Sequence, residues 1–284
     1  MKVAITGATG FLGSHCVSRA LKKGHSVRIL VRNREKAKIA LEMHGLNEES
    51  VEIVRADLED DRSLDEGLHG VDCLLHTAAI FSLSPLDAKS MTAINPSSTK
   101  TLLSAAVKHD LKQTVYVSTM GVFAPISGGD IDENTPTSTG LGPYTKSKIE
   151  SEKIARQFQK DGAPVNIVYP GGIFGPTDPN PNLSDSMGML TEILKRNIGL
   201  TAKDAKLAMV DVRDVAEVCV GALNANSKSA RYHAWGELVT MDQVIALVKK
   251  ITERKIRFYS TPLFVLDALG AFGESFTLLT RIRL

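Results

Sequence analysis

The sequence predicts an α/β fold, a doubly wound parallel sheet carrying a small C-terminal substrate lobe. Three observations support this. Short β-branched runs alternate with helix-period segments up to Tyr169. A glycine-rich turn, Gly7 to Gly13, follows the first run at once. The alternation then breaks at Pro170–Pro181, where four prolines and three glycines in twelve residues read as a loop.

The elements follow in order. Strands are expected at Val3–Thr6, Ser26–Val31, Val51–Ala56, Cys73–His76, Thr114–Ser118 and Val165–Tyr169. Helices are expected at Phe11–Lys22, Arg34–Met43, Ser63–Leu68, Asp87–His109 and Tyr144–Lys160. Strands separated by helices of this length form βαβ units, whose right-handed crossovers wind a buried parallel sheet. Beyond the loop come a helix near Leu183–Arg196, a strand at Leu207–Val210 and a helix from Asp214 to Leu223. A strand at Arg231–Trp235, a helix opened by Thr240, a strand at Lys255–Tyr259 and a last apolar helix complete the chain. Residues 1–175, with 204–224 returning to them, are expected to form the cofactor domain. Residues 176–203 and 225–284 are expected to form the substrate lobe.

Composition narrows the function classes. Of 284 residues 43% are apolar and 23% charged, which suits one large domain with a buried core. A net charge of +2 leaves no strong field for nucleic acid. No apolar run is long enough to span a bilayer. Cys16, Cys73 and Cys219 lack metal-ligand spacing, so no metal site is expected, and their sparse, odd count fits reduced thiols. Met1-Lys2 leads directly into a strand with no signal peptide, and a cytoplasmic location is expected. Pro262–Leu284 is rich in Leu and Phe and ends in Arg281-Ile282-Arg283-Leu284. It reads as a docked helix, with a peripheral membrane or partner contact as the alternative, and its abrupt end fits a truncated chain.

The glycine turn has a physical reading. Gly7 lets the chain turn sharply off the strand, Gly10 lets a pyrophosphate approach the backbone, and Gly13 lets the helix pack close to the sheet. The helix N-terminus that follows offers unpaired N–H groups and a positive dipole end. The run Thr6-Gly7-Ala8-Thr9-Gly10-Phe11-Leu12-Gly13 resembles the fingerprint of the extended short-chain dehydrogenase/reductase family, which has a Rossmann fold. Further likenesses are Ala56-Asp57-Leu58, His76-Thr77-Ala78-Ala79, Pro170-Gly171-Gly172-Ile173-Phe174-Gly175-Pro176 and Val210-Asp211-Val212-Arg213-Asp214-Val215-Ala216.

The resemblance implies roles. Thr9, Phe11 and Leu12 join the three glycines at the cofactor. Asp57 accepts from the adenine amino group with Leu58 against the ring, the alternative for Asp57 being a helix N-cap. Thr77, Ala78 and Ala79 line the ribose and nicotinamide, and Pro170, Gly171 and Ile173 bracket the nicotinamide. Relatives dimerise through two long helices, here Asp87–His109 and Tyr144–Lys160, so a homodimer is implied.

Which nicotinamide is bound is read from the second strand. NAD-binding folds place an acid near its end to hold the ribose 2′-OH. Here the strand runs into Arg32-Asn33-Arg34. A guanidinium matches a 2′-phosphate in charge and in its forked donors, so NADP(H) is favoured over NAD(H). The alternative is that Arg32 and Arg34 are solvated charges opening a surface helix.

Tyr144 and Lys148 stand four residues apart, on one face of a helix opened by Pro143. The ammonium and the helix N-terminus are expected to pull the phenol pKa down from about 10 and make Tyr144 a proton donor or acceptor. Lys148 has a second role, bonding the cofactor ribose. The spacing alone would equally fit an ordinary exposed helix. At the carboxyl end of the fifth strand stand Ser118 and Thr119. Thr119 matches the family's catalytic hydroxyl, which donates to the substrate carbonyl, and Ser118 is the runner-up. Asn95 matches a family asparagine that orders a proton relay or touches substrate, while Asn95-Pro96 could equally be a helix bend.

Within the family, dehydratases resemble Thr-Asp-Glu at this strand end, whereas Thr119 precedes Met120-Gly121. Epimerases carry an asparagine two residues after the sixth-strand proline and an arginine before it. Gly172 and Tyr169 stand there. Pro170-Gly171-Gly172-Ile173-Phe174-Gly175-Pro176, with the arginine-bearing second strand, resembles the dihydroflavonol-reductase and 3β-hydroxysteroid-dehydrogenase-like branch, and Ile80-Phe81-Ser82-Leu83 suits an apolar small molecule. The implied function is NADP-dependent hydride transfer to or from a carbonyl or secondary alcohol. The alternatives are a nucleotide-sugar epimerase and a non-catalytic NADP-sensing protein.

Overall fold

The computed structural model describes residues 1–82, 84–124, 130–140, 142–180, 185–202, 206–224 and 229–262. Its elements are β1 (Lys2–Thr6), α1 (Phe11–Lys22), β2 (Ser26–Val31), α2 (Arg34–Glu42), β3 (Glu52–Arg55), α3 (Asp61–Leu68), β4 (Cys73–His76), α4 (Ala88–Lys108), β5 (Gln113–Val117), α5 (Gly142–Lys160) and β6 (Val165–Pro170). There follow β7 (Gly172–Phe174), α6 (Asp185–Arg196), β8 (Ile198–Ala202), β9 (Lys206–Asp211), α7 (Val212–Gly221), β10 (Arg231–Ala234), β11 (Leu238–Thr240), α8 (Met241–Thr252) and β12 (Arg257–Thr261).

Seven strands form one sheet in the order β10-β6-β5-β4-β1-β2-β3, every neighbouring pair parallel. This is the doubly wound α/β sheet. Its central strands are mostly apolar because both faces are covered: β1 buries Val3, Ala4 and Ile5 completely, and β4 buries Cys73, Leu74 and Leu75. One face packs α1 and α7 over Val3, Ile5, Val27 and Ile29. The other packs α3, α4 and α5 over Ala4, Leu74, Tyr116 and Ile167. The order reverses between β1 and β4, and a crevice opens at the carboxyl ends of strands at such a point.

Side-chain caps end the helices next to that crevice. Asn33 caps α2 by accepting from the Lys36 N–H at 3.0 Å. Asp60 caps α3 by accepting from Arg62 and Ser63 N–H at 3.1 and 3.2 Å. The first turn of α1 has no side-chain cap and no acidic residue.

Some sequence expectations are corrected. The Pro- and Gly-rich stretch after Tyr169 contains a strand, β7, paired in parallel with β9. Arg231–Ala234, expected in the lobe, extends the large sheet beside β6. The strand β8, not expected, pairs with β12. The last apolar helix lies in residues 263–284, outside the described residues, as does Leu83. Among the described residues no helix is long and apolar enough to cross a membrane, and no His/Cys/Asp/Glu group could hold a metal.

Candidate active site

A cavity of about 230 Å³ opens at the switch point. Its lining gathers Gly7, Thr9, Gly10, Arg32, Asp57, Leu58, Thr77, Ala78 and Ala79, which lie far apart in sequence. Ile80 lines it too, and Leu30 and Ile94 add apolar wall that the sequence reading did not single out.

The glycine turn closes on itself. Gly7 sits at φ +75°, and a Cβ there would lie 2.6 Å from Thr77 Oγ1 and 2.8 Å from Ala78 N. A Cβ on Gly13 would lie 2.0 Å from Gly7 O, so the start of α1 rests directly on the turn. Gly10 differs: a Cβ there meets only Gly7 O, at 3.3 Å. The space above Gly10, with the uncapped helix N-terminus behind it, fits an anionic group brought close to the backbone. This cradle fits a dinucleotide pyrophosphate. Phe11 and Leu12 do not line the cavity; Phe11 packs its ring edge against His15 and Leu12 packs on the core.

Buried hydrogen bonds hold the two strand ends together. Thr77 Oγ1 donates to Thr6 O at 2.7 Å, and the Ala78 N–H reaches Thr6 Oγ1 at 3.3 Å. His76 Nδ1 lies 2.8 Å from Thr6 Oγ1. Burial, together with a smaller contribution from the charge of Lys148, lowers the His76 pKa to about 3, so the ring is neutral.

Beside the cavity, Asp57 Oδ1 accepts from the Glu59 N–H at 3.2 Å, which leaves helix capping to Asp60. Arg32 is exposed and lines both this cavity and an adjoining hollow that it shares with Arg55. Arg34 instead pairs with Glu48 at 2.6 Å and does not line the cavity.

Helix α5 carries Tyr144, Lys148, Glu152 and Arg156 at successive intervals of four. Lys148 is buried. Its Nζ donates to Val117 O at 2.7 Å and sits 4.5 Å above the Tyr116 ring. Burial lowers its pKa to about 7 against a smaller opposing pull from Glu152. Tyr144 touches Phe81 edge-on at 4.4 Å, and Phe81 is 45% exposed. Burial raises the Tyr144 pKa to about 12, and this corrects the expectation that Lys148 and the helix N-terminus would lower it. Loss of water around the phenol is the cause, and the Lys148 ammonium donates to the Val117 carbonyl.

Two hydroxyls end β5. Thr119 Oγ1 accepts from the Gly121 N–H at 3.2 Å, starting a short 3-10 turn, Met120–Phe123. Thr119 is half-buried, whereas Ser118 is 3% exposed and its Oγ has no partner among the described residues. Asn95, 3% exposed, spends its amide on protein. Its Oδ1 accepts from Ile80 N–H at 2.8 Å, and its Nδ2 donates to Ile80 O at 2.9 Å and Ser147 Oγ at 3.0 Å. It therefore clamps the segment after β4 to α4 and α5.

Pro170, Gly171 and Ile173 do not line the cavity. Gly171 packs under Ala208 O and Trp235, where a Cβ would lie 2.6 Å from Ala208 O, and Ile173 packs on the core. Tyr169 is fully buried. Its hydroxyl donates to Glu152 Oε1 and accepts from Arg156 at 3.2 Å. Glu152, at 0% exposure, also accepts from Arg156 Nε at 2.8 Å. The sequence reading missed this triad, although Glu152 continues the interval of four set by Tyr144 and Lys148.

The family model for the NAD dependent epimerase/dehydratase family matches residues 3–235. The chain belongs to this family. It is similar to sterol demethylase protein B of Methylococcus capsulatus, 28% identical over 255 residues, 89% of this chain and 75% of that one. It is equally similar to a putative dihydroflavonol 4-reductase of Synechocystis sp., 28% identical over 255 residues, 87% of this chain and 71% of that one. Among solved structures it resembles a double mutant of DesIV, a dTDP-glucose 4,6-dehydratase of Streptomyces venezuelae, with NAD and DAU bound. That match has TM-score 0.77 and 25% identity, covering 92% of this chain and 84% of that one. The chain is an enzyme of the short-chain dehydrogenase/reductase type, from a family that binds NAD(P) and acts on CH–OH or C=O groups.

Proposed function

We propose that this protein is an NADP(H)-dependent oxidoreductase acting on a carbonyl or secondary alcohol of a mostly apolar small molecule. The observation that carries the choice of cofactor is Arg32, exposed at the end of β2 on the cavity wall, where a carboxylate would serve a free 2′-OH. The cofactor supplies or accepts the hydride.

The chain's own residues do the rest. Thr119 has its hydroxyl proton free to donate to a carbonyl oxygen, because its lone pair is what meets Gly121 N–H. Tyr144 stays a neutral phenol well above pH 7, so it gives a proton to that oxygen as charge develops. Lys148 holds the cofactor ribose and brings a positive charge beneath the site. Gly7, Gly10 and Gly13 shape the turn on which the pyrophosphate rests, Asp57 and Leu58 receive the adenine, and Pro170, Gly171 and Ile173 back the nicotinamide. Phe81 against Tyr144 and the neighbouring Ile80 offer an apolar wall to substrate. Residues 176–203 and the segments after β10 form the substrate lobe, and a cytoplasmic homodimer through α4 and α5 is the assembly we propose.

The test is a panel of ketones, aldehydes and secondary alcohols followed by NADPH absorbance, with nucleotide sugars as controls. Turnover of an apolar carbonyl or alcohol is expected. Efficient epimerisation of a nucleotide sugar without net cofactor turnover would overturn the reading.

A further inference from the structure

We infer that Arg55 joins Arg32 in a two-guanidinium site for the 2′-phosphate of NADP(H), an inference that rests on the cofactor reading above. Arg55 ends β3, the edge strand, and lies abreast of Val31 in the parallel register. The Ala56 N–H donates to Val31 O at 3.1 Å, so the chain positions of Arg32 and Arg55 run side by side past the end of the sheet. Both residues are exposed, and both line one hollow that adjoins the cavity over the glycine turn.

The two are also alike in being uncommitted. Among the described residues every other arginine except Arg257 makes a hydrogen bond or an ion pair. Arg257 lies far along the chain on β12. Two of the three arginines with uncommitted guanidiniums thus line one hollow next to the proposed adenosine site.

The rest of the hollow explains why one arginine falls short. Asp57, Glu59 and Asp60 line it as well. Asp60 is turned into the N-terminus of α3, and Asp57 Oδ1 is held by the Glu59 N–H, yet their charge remains. A dianionic phosphate beside Arg32 alone would sit in a net negative field. The second guanidinium reduces that field and adds forked donors of its own.

The test uses the whole chain and reads binding. NADPH, NADH, 2′,5′-ADP and 5′-AMP are titrated by fluorescence or calorimetry at fixed salt against wild type, Arg55→Gln, Arg55→Lys and Arg32→Gln. Arg55→Gln is expected to weaken NADPH and 2′,5′-ADP by about tenfold, the loss of one charge-assisted hydrogen bond, while NADH and 5′-AMP hold their affinity. Arg55→Lys, which keeps the charge and loses the fork, is expected to fall between. Equal weakening of all four ligands would overturn the inference, because Arg55 would then serve the adenosine they share. A wild-type preference for NADPH that survives Arg55→Gln and collapses in Arg32→Gln would overturn this inference alone. A wild type that binds NADH as tightly as NADPH would overturn the cofactor reading as well.

Discussion

Lys148 Nζ donates to the carbonyl oxygen of Val117 at 2.7 Å, across the boundary between α5 and the end of β5. This bond ties the helix that carries Tyr144 to the strand that carries Thr119. It also buries an amine, and the cost of doing so is measurable.

In the folded chain Lys148 titrates at about 7, against an ordinary 10.5. Between those values the unfolded chain holds a proton that the folded chain has released. Unfolding then takes up a proton, so stability rises with pH across the window from about 7 towards 10. Below about pH 7 the penalty is constant. Urea midpoints of wild type and Lys148→Met should therefore converge in slope at low pH and diverge above pH 7, with wild type gaining. Parallel curves from pH 6 to 10 would show that the amine is not desolvated as described.

The triad beneath it should behave differently. Glu152→Ala leaves Arg156 and the Tyr169 hydroxyl without their carboxylate, and is expected to cost about 3–5 kcal/mol, as breaking buried pairs does. Tyr169→Phe removes the two hydrogen bonds of its hydroxyl and should cost about 1–3 kcal/mol. Chemical denaturation checks both, and a Glu152→Ala variant as stable as wild type would mean that water already serves the carboxylate.

Gly10 and Gly13 separate a binding role from a packing role. Gly13→Ala forces a Cβ to 2.0 Å from Gly7 O and should unseat α1, with a fall in Tm as well as in cofactor affinity. Gly10→Ala needs Gly7 O, 3.3 Å from the new Cβ, to give by only a few tenths of an ångström, and should cost about 1 kcal/mol through that shift and a poorer N-cap. Its methyl group projects into the cradle, so NADPH affinity should fall steeply all the same. Thermal melts with and without NADPH distinguish the two, and a Gly10→Ala variant that binds NADPH normally would remove the cradle from the account.

Much of this was legible in sequence for a physical reason. Strands β1, β2 and β4 are short, apolar and bounded by turns, and α1 follows Gly10 directly, so local pattern and global fold agree there. The cavity-lining residues could be named because strand ends face the crevice. What stayed hidden depends on distant partners. Strand β7 is three residues inside a Pro- and Gly-rich stretch and exists because β9 pairs with it. The fate of Arg34 depends on Glu48, and that of Asn95 on Ile80 and Ser147. The direction of the Tyr144 shift depends on burial, which a spacing of four does not report. Arg55 was not singled out, because its place near Arg32 depends on β2 pairing with β3.

In the proposed reaction Tyr144 donates the proton while Thr119 polarises the carbonyl. Its most direct test is single-turnover reduction of the best carbonyl substrate by NADPH, comparing wild type with Tyr144→Phe and using Thr119→Val and Ser118→Ala as companions. Tyr144→Phe keeps the ring contact with Phe81 and removes only the hydroxyl. It should slow hydride transfer by roughly 10²–10⁴-fold, the usual loss when a general acid is removed, with NADPH affinity nearly unchanged. Thr119→Val should also be slow and Ser118→Ala nearly normal. A Tyr144→Phe enzyme that transfers hydride at close to the wild-type rate would contradict the account.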